Sequence, residues 1–294
     1  MAMDSKVKPG RSTGLITTSD GHSLFYRKWD PASDAVATVV IVHGLGEHSG
    51  RYVHVGKYFA EAGFRTIAFD LRGHGRSSGR SVFVKRYLEL ATDVDCIVKN
   101  CHTVPLFLFG HSFGGQLALW TAQRFRLKLA GLILSAPWLA LAFAPPPWQV
   151  FVGQKLNRLT PGLRFPTRIQ PEKLSRDQAH LDSLEDLDLV RTFVTIRLYV
   201  EAVNAASEIV KAPVIDFPVL FAHGDGDQVT SLKVTQDFFA RLRAPSKTLK
   251  IYPNLLHELH NETVRLQVLA DYLEWMKSII QTGSPEREEA PNRS

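Results

Sequence analysis

Residues 104–119 run Val104-Pro105-Leu106-Phe107-Leu108-Phe109-Gly110-His111-Ser112-Phe113-Gly114-Gly115-Gln116-Leu117-Ala118-Leu119. A short apolar run meets a serine set between glycines, and an apolar helical pattern leaves it at once. This is the strand–turn–helix context in which a Gly-x-Ser-x-Gly pentapeptide holds a serine Oγ up at a sheet edge. The pentapeptide alone carries little weight, because with Gly and Ser each near ~7% about one chain in ten of this length contains it by chance. The chain supplies its own control: Gly75-Arg76-Ser77-Ser78-Gly79 matches equally well. That copy follows Asp70 through a polar Arg-Gly-His-Gly loop, and no apolar helix begins at Gly79. Ser112 is the candidate nucleophile and Ser77 a loop residue.

Short apolar runs recur around this motif, at 36–42, 64–69, 104–109, 130–134, 219–222 and 249–252. Their β-branched and aromatic content and short length predict strands buried on both faces, as in a parallel sheet. Helical spacing separates them: Tyr87, Leu90, Val94, Ile97 and Cys101; Leu117, Thr121, Ala122 and Phe125; then Val264, Leu269, Tyr272, Leu273 and Met276. Ahead of them, 15–18 and 22–29 flank Ser19-Asp20-Gly21 as a hairpin, since Asp-Gly supports a tight turn. A hairpin followed by strand–helix alternation predicts an α/β fold, a mostly parallel sheet covered by helices. The rhythm breaks between Ala136 and Asp216. That stretch holds Pro145-Pro146-Pro147, exposed-looking aromatics (Trp138, Phe143, Trp148, Phe151) and an amphipathic helical pattern over 186–210. It is too long for a connecting loop and reads as an inserted cap. The expected division is a core in two parts, 1–135 and 217–280, with the cap over 136–216 and a polar, disordered tail over 281–294.

A serine hydroxyl is a weak nucleophile and needs a base that is itself oriented by a carboxylate. Behind such an elbow the order is Ser, acid, His, on loops after later strands. The run 219–222 is followed by His223-Gly224-Asp225-Gly226-Asp227, and 249–252 by Pro253-Asn254-Leu255-Leu256-His257. Both loops therefore leave a parallel sheet on the same edge as Ser112. Asp225 and Asp227 compete for the acid, and either could be a turn residue in this Gly-rich loop. His257 is preferred to His260, which falls at the start of the next helix. His257-Glu258-Leu259-His260 is not the zinc pattern, which needs histidines at i and i+4. His43, His48, His74, His111 and His223 read as loop-packing residues. An oxyanion needs two donors: the backbone N–H of Phe113, after the nucleophile, and one from the His43-Gly44-Leu45-Gly46 loop, where Leu45 is the choice.

The chain has 294 residues, 45% hydrophobic and 22% charged, an ordinary globular composition. No run approaches the ~20 apolar residues that span a bilayer, and the start lacks a signal-peptide core. Cys96 and Cys101, five apart, make neither a disulfide framework nor a metal set. The expected location is cytoplasmic, with peripheral membrane contact left open. The Asn-x-Ser/Thr matches at Asn261 and Asn292 then read as chance. A formal charge of +6 is spread along the chain without a basic run or nucleic-acid motif, so nucleic acid is not an expected partner.

Five blocks in order carry a resemblance across nearly the whole chain: 43–52 (His-Gly-Leu-Gly-Glu-His-Ser-Gly-Arg-Tyr), 70–77, 110–115, 223–227 and 257–260. They resemble the monoacylglycerol lipase and lysophospholipase-like branch of the α/β-hydrolases. The resemblance implies the α/β-hydrolase fold, a mostly parallel eight-stranded sheet flanked by helices with an inserted helical cap, and favours Asp227 as the acid. It implies a lipid ester substrate, hydrolysis of a glycerol monoester without cofactor or metal, and a fatty chain lying under the cap. Glu47, Arg51 and His260 would by position line a glycerol pocket; Glu47 and Arg51 read equally as an ion pair bracing a loop. Leu45 is bulkier than the small residue some members carry there. The cap aromatics face two readings, a lipid entrance touching a membrane surface or cap core. Lysophospholipase or broad esterase activity is the nearest alternative, and a receptor or scaffold that has abandoned catalysis the non-enzyme one. An aminopeptidase is disfavoured because no acidic site for a substrate N-terminus is evident. Epoxide hydrolases and dehalogenases need a carboxylate where Ser112 stands. Oligomeric state is unassigned.

Overall fold

The chain opens on an antiparallel hairpin, β1 (Gly10–Thr17) and β2 (Ser23–Asp30), with Thr17 opposite Ser23. Gly21 turns it at φ 85°, a left-handed conformation that suits glycine. This computed structural model describes residues 10–101, 105–125, 127–143 and 146–283. Alternation follows: β3 (Ala37–Val42), α1 (Val53–Glu61), β4 (Phe64–Phe69), α2 (Tyr87–Lys99), β5 (Leu106–His111), α3 (Phe113–Arg124) and β6 (Gly131–Ser135). Between β6 and the next sheet strand come α4 (Pro147–Leu159), β7 (Arg164–Pro166), α5 (Gln178–Asp182), β8 (Phe193–Thr195) and α6 (Ile196–Lys211). The main sheet then resumes with β9 (Val219–Gly224), α7 (Leu232–Arg241), β10 (Lys247–Tyr252) and α8 (Arg265–Gly283).

Eight strands form one sheet in the order β1-β2-β4-β3-β5-β6-β9-β10, antiparallel only at β1/β2 and β2/β4. From β3 the chain moves outward to β4 and then returns to the other side with β5. The strand order therefore reverses between β3 and β5, and in open α/β sheets the crevice at such a reversal, beyond the carboxyl ends, is where ligands bind. The loop after β3 and the turn after β5 both open there.

Every residue of β3, β4, β5, β6 and β9 is buried. Side chains alternate between two cores, as period-2 geometry requires. Val40 and Val42 join Leu90, Leu117 and Phe238 from α2, α3 and α7, whereas Val39 and Ile41 join Phe59, Leu269 and Tyr272 from α1 and α8. The strand at 249–252 differs from expectation. β10 is an edge strand and only Tyr252 is buried along it, so this edge of the sheet meets water.

Three further readings need correction. The helical pattern over 186–210 starts as helix only at Ile196, where the Thr195 hydroxyl caps Leu198 N–H. Before it the chain makes a short turn at Leu187–Leu189 and pairs β8 with β7, because Asp186, at φ 54°, is held by Arg27 and Arg76 from the hairpin and the 70–77 loop. Trp138 is not exposed: it packs against Phe113 and Tyr199, at 6% exposure. Residues 281–283 belong to α8, not to a tail; residues 284–294, and with them Asn292, lie outside the described residues, as does residue 104. Asn261 is buried and donates to Glu258. Among the described residues no helix is long and apolar enough to cross a membrane.

Candidate active site

Ser112 sits between β5 and α3 at φ 52°, ψ −118°, a backbone conformation that a side-chain-bearing residue adopts only under constraint. The constraint comes from close approach. A Cβ on Gly110 would meet Gly114 O at 2.5 Å, and one on Gly114 would run into the carbonyl oxygens of Val42 and His43. Glycines at both places let α3 start hard against β5 and β3, which turns the serine outward. Ser112 N–H donates to Ser135 O at 2.9 Å, and its carbonyl accepts from Gln116 and Trp138, both at 3.0 Å. Ser77 has a different occupation: its hydroxyl accepts from Phe25 N–H at 2.8 Å and donates to Asp70 O at 2.5 Å, tying a loop to β2.

The loops after β9 and β10 bring the other two groups to the serine. His257 Nε2 is 2.9 Å from Ser112 Oγ, and its Nδ1 is 2.8 Å from Asp227 Oδ2. Asp225 is excluded from this chain of contacts, since its carboxylate accepts Asn254 N–H at the protein surface. Asp227 is fully enclosed by donors: Val229 N–H at 2.7 Å and Thr230 N–H at 3.0 Å on Oδ1, the Thr230 hydroxyl at 2.8 Å and His223 Nε2 at 3.1 Å on Oδ2. Burial alone would raise this carboxyl, but the His257 charge and the imidazole hydrogen bonds outweigh it and hold it far below the usual carboxylate range. For His257, burial pulls downward, but the charge and hydrogen bond of Asp227, with the charges of Glu258 and Glu47 beside them, together leave the imidazole above its ordinary value.

The backbone N–H of Phe113 opens α3, where a helix donor has no intrahelical acceptor. Leu45 N–H lies in the loop after β3, which faces the same crevice. Neither has a hydrogen-bond acceptor among the described residues. Gly46, at φ 76°, packs against Arg191 so closely that a Cβ would overlap the Arg191 carbonyl, and Arg191 N–H donates to Gly46 O at 2.7 Å.

The crevice holds about 300 Å³. Its polar end is formed by Gly44, Glu47, Arg51, His111 and Glu258 beside Ser112 and His257, and its far walls by Ile169, Pro171, Leu174, Leu181, Leu187 and Val190. Arg51 joins the two acids: its Nε donates to Glu47 at 3.0 Å, and Nη2 forks onto both Glu258 oxygens at 2.9 and 2.6 Å. Glu47 also accepts from Tyr52 OH at 2.9 Å and from Gly44 N–H. Glu47 and Arg51 pair with each other, and both line the crevice. His260 does not line it. It is fully buried, stacked on Tyr52 at 4.8 Å and edge-on to His111, with neither ring nitrogen hydrogen-bonded to a described residue.

Glu258 and His223 were not assigned a role at the site from sequence. Glu258 stands directly after the histidine in the 257–260 segment, and His223 stands four residues before the acid. Only the folded distances distinguish them from packing residues.

A family model described as serine aminopeptidase, S33, matches residues 33–264. The chain belongs to the serine aminopeptidase S33 family. It is 30% identical to a monoacylglycerol lipase of Mycolicibacterium smegmatis over 92% of this chain and 99% of that protein. It is 34% identical to an uncharacterized abhydrolase domain-containing protein of Dictyostelium discoideum, over 94% of this chain but only 30% of that longer protein. The crystal structure of Paleococcus ferrophilus monoacylglycerol lipase superposes with a TM-score of 0.80 at 29% identity, covering 87% of this chain and 99% of the other. The S33 chain has the α/β-hydrolase fold. An acidic site, which disfavoured an aminopeptidase by not being evident in the sequence, is present in part: Glu47 and Glu258 stand beside the serine, both paired with Arg51.

Proposed function

We propose that the chain is a serine ester hydrolase that cleaves monoacylglycerols to a free fatty acid and glycerol, with Ser112, His257 and Asp227 as its catalytic groups. The unbroken line of contacts from Ser112 Oγ through His257 to Asp227, at a strained elbow, carries this reading. His257 Nε2 accepts the Ser112 proton as Oγ attacks the ester carbonyl. The N–H groups of Leu45 and Phe113 hold the oxyanion that forms. The imidazolium then protonates the glycerol oxygen as the C–O bond breaks, leaving acyl-Ser112. A water enters, His257 takes its proton, and the second tetrahedral intermediate releases the fatty acid and restores Ser112. Asp227 remains ionised throughout and keeps Nδ1 protonated, so that Nε2 faces the serine as acceptor.

In this reading residues 136–216 are the cap. Their apolar residues give the acyl chain its surroundings, and Glu47 and Arg51 meet the glycerol hydroxyls. The cap also supplies the membrane contact: Phe143 and, on α4, Trp148 are well exposed and suit burial among lipid headgroups. The similarity to monoacylglycerol lipases supports the substrate class.

Turnover of a long-chain monoacylglycerol, beside a short water-soluble ester, tests the reading. Hydrolysis of both by wild type and of neither by Ser112→Ala is expected. Turnover of the short ester alone would remove the monoacylglycerol assignment.

A further inference from the structure

The polar end of the crevice contains an arginine that is almost wholly consumed by carboxylates. Arg51 is 6% exposed, Glu47 6% and Glu258 5%, so water screens this cluster weakly. The guanidinium gives Nε to Glu47 and Nη2 to both oxygens of Glu258, while Nη1 has no partner among the described residues. Glu258 is fixed in turn by Asn261, whose amide donates to it at 2.7 Å. Two ionised acids against one base leave the cluster with an excess negative charge.

The rest of the wall does not reverse that sign. Asp182 adds another carboxylate and Arg191 another guanidinium, but Arg191 Nη1 is turned to the backbone carbonyls of Asp188 and Val190. Of the other titratable groups beside the cluster, His111 is pushed down to about 3 by burial and the nearby His257, burial holds the Tyr52 hydroxyl well above its ordinary value, and His257 is the catalytic base of the reading above.

We propose that Glu258 sets the head-group charge the crevice accepts: by cancelling Arg51 it admits an uncharged polyol and turns away an anionic head such as glycerol phosphate. The inference rests on the ester-hydrolase reading above and adds the residue that selects among its substrates. Arg51 Nη1 still offers a hydrogen bond to a hydroxyl. A phosphate placed there would meet a guanidinium whose charge two carboxylates already offset, and would face their repulsion. Without Glu258 the same guanidinium keeps only Glu47, and the cluster becomes neutral. Discrimination arises from the repulsive element as much as from the attractive one.

The test compares kcat/KM for monodecanoylglycerol and for its 3-phosphate, with a nitrophenyl butyrate control, in wild type and Glu258→Gln. Gln keeps the shape and the contact to Asn261 while removing the charge. Wild type is expected to prefer the neutral lipid, and the preference should fall at least about tenfold in the variant. An unchanged preference in a variant that still turns over the nitrophenyl ester would overturn the proposal. Wild type that cleaves the nitrophenyl ester and neither lipid would instead overturn the monoacylglycerol reading. Should Glu258→Gln fail to fold, wild type decides the matter through competitive inhibition of nitrophenyl ester turnover. A decyl glycerol ether should inhibit at least about tenfold more tightly than its 3-phosphate, and equal inhibition would sink the idea.

Discussion

His223 Nε2 lies 3.1 Å from Asp227 Oδ2, the same oxygen that His257 Nδ1 approaches at 2.8 Å. One carboxylate oxygen therefore faces two imidazoles, and the hydrogen bond from His223 withdraws part of the negative charge that His257 would otherwise feel. In His223→Leu that charge returns to His257. The acid limb of kcat/KM should move to higher pH, by a few tenths to about one pH unit. Initial rates from pH 5 to 9 measure it, and a limb that stays in place would show that His223 only packs.

His257 must be neutral to accept the serine proton. Activity is therefore present above its folded value and lost as pH falls through it. Because Asp227 raises that value above the ordinary 6.5, half-maximal kcat/KM should lie above pH 6.5. Asp227→Asn should move the limb down and reduce kcat by about 10⁴-fold, since the amide favours the wrong imidazole tautomer.

The two serine motifs should separate cleanly on substitution. Ser77→Ala leaves Phe25 N–H and Asp70 O without their partner, at a cost of about 1–3 kcal/mol in denaturant unfolding. Its kcat/KM should stay close to wild type. Ser112→Ala should unfold near wild type and lose turnover by about a millionfold.

The buried histidines His43, His48, His74, His111 and His260, with the half-buried His54, all lie below their ordinary value and give the fold a sensitivity to acid. Burial pushes His74 and His111 down to about 3 and His54 to about 4. Their unfolded counterparts take up protons near 6.5, so stability is full above that pH and falls as pH drops toward 3 to 4. Calorimetric Tm should decline steadily below pH 6.5, and a flat Tm between pH 7 and 5 would contradict the assignment.

Much of the fold could be read locally, because its strands are short apolar runs with sharp ends. The run at 64–69 is β4 to the residue, and 36–42 misses β3 by one. Strand order and the edge position of β10 depend on pairing, which no local pattern carries. The pattern at 186–210 failed for a related reason: apolar spacing there fits a helix, but Arg27 and Arg76, more than a hundred residues away, hold Asp186 in a turn. At the site, Ser112 and His257 were legible because each follows a strand, whereas Asp225 and Asp227 share one loop and only the resemblance favoured Asp227. His260 shared their block yet folded behind Tyr52. Glu258 gave no signal until Arg51, 207 residues distant, closed on it.

The hydrogen bond from Arg191 N–H to Gly46 O joins the covering segment to the loop that presents Leu45 N–H. On the proposed function, any exchange along the segment between β6 and β9 which adapts the crevice to a longer or shorter fatty chain also tugs on Leu45 N–H, the proposed oxyanion donor. Chain-length preference and catalytic speed are therefore mechanically linked here.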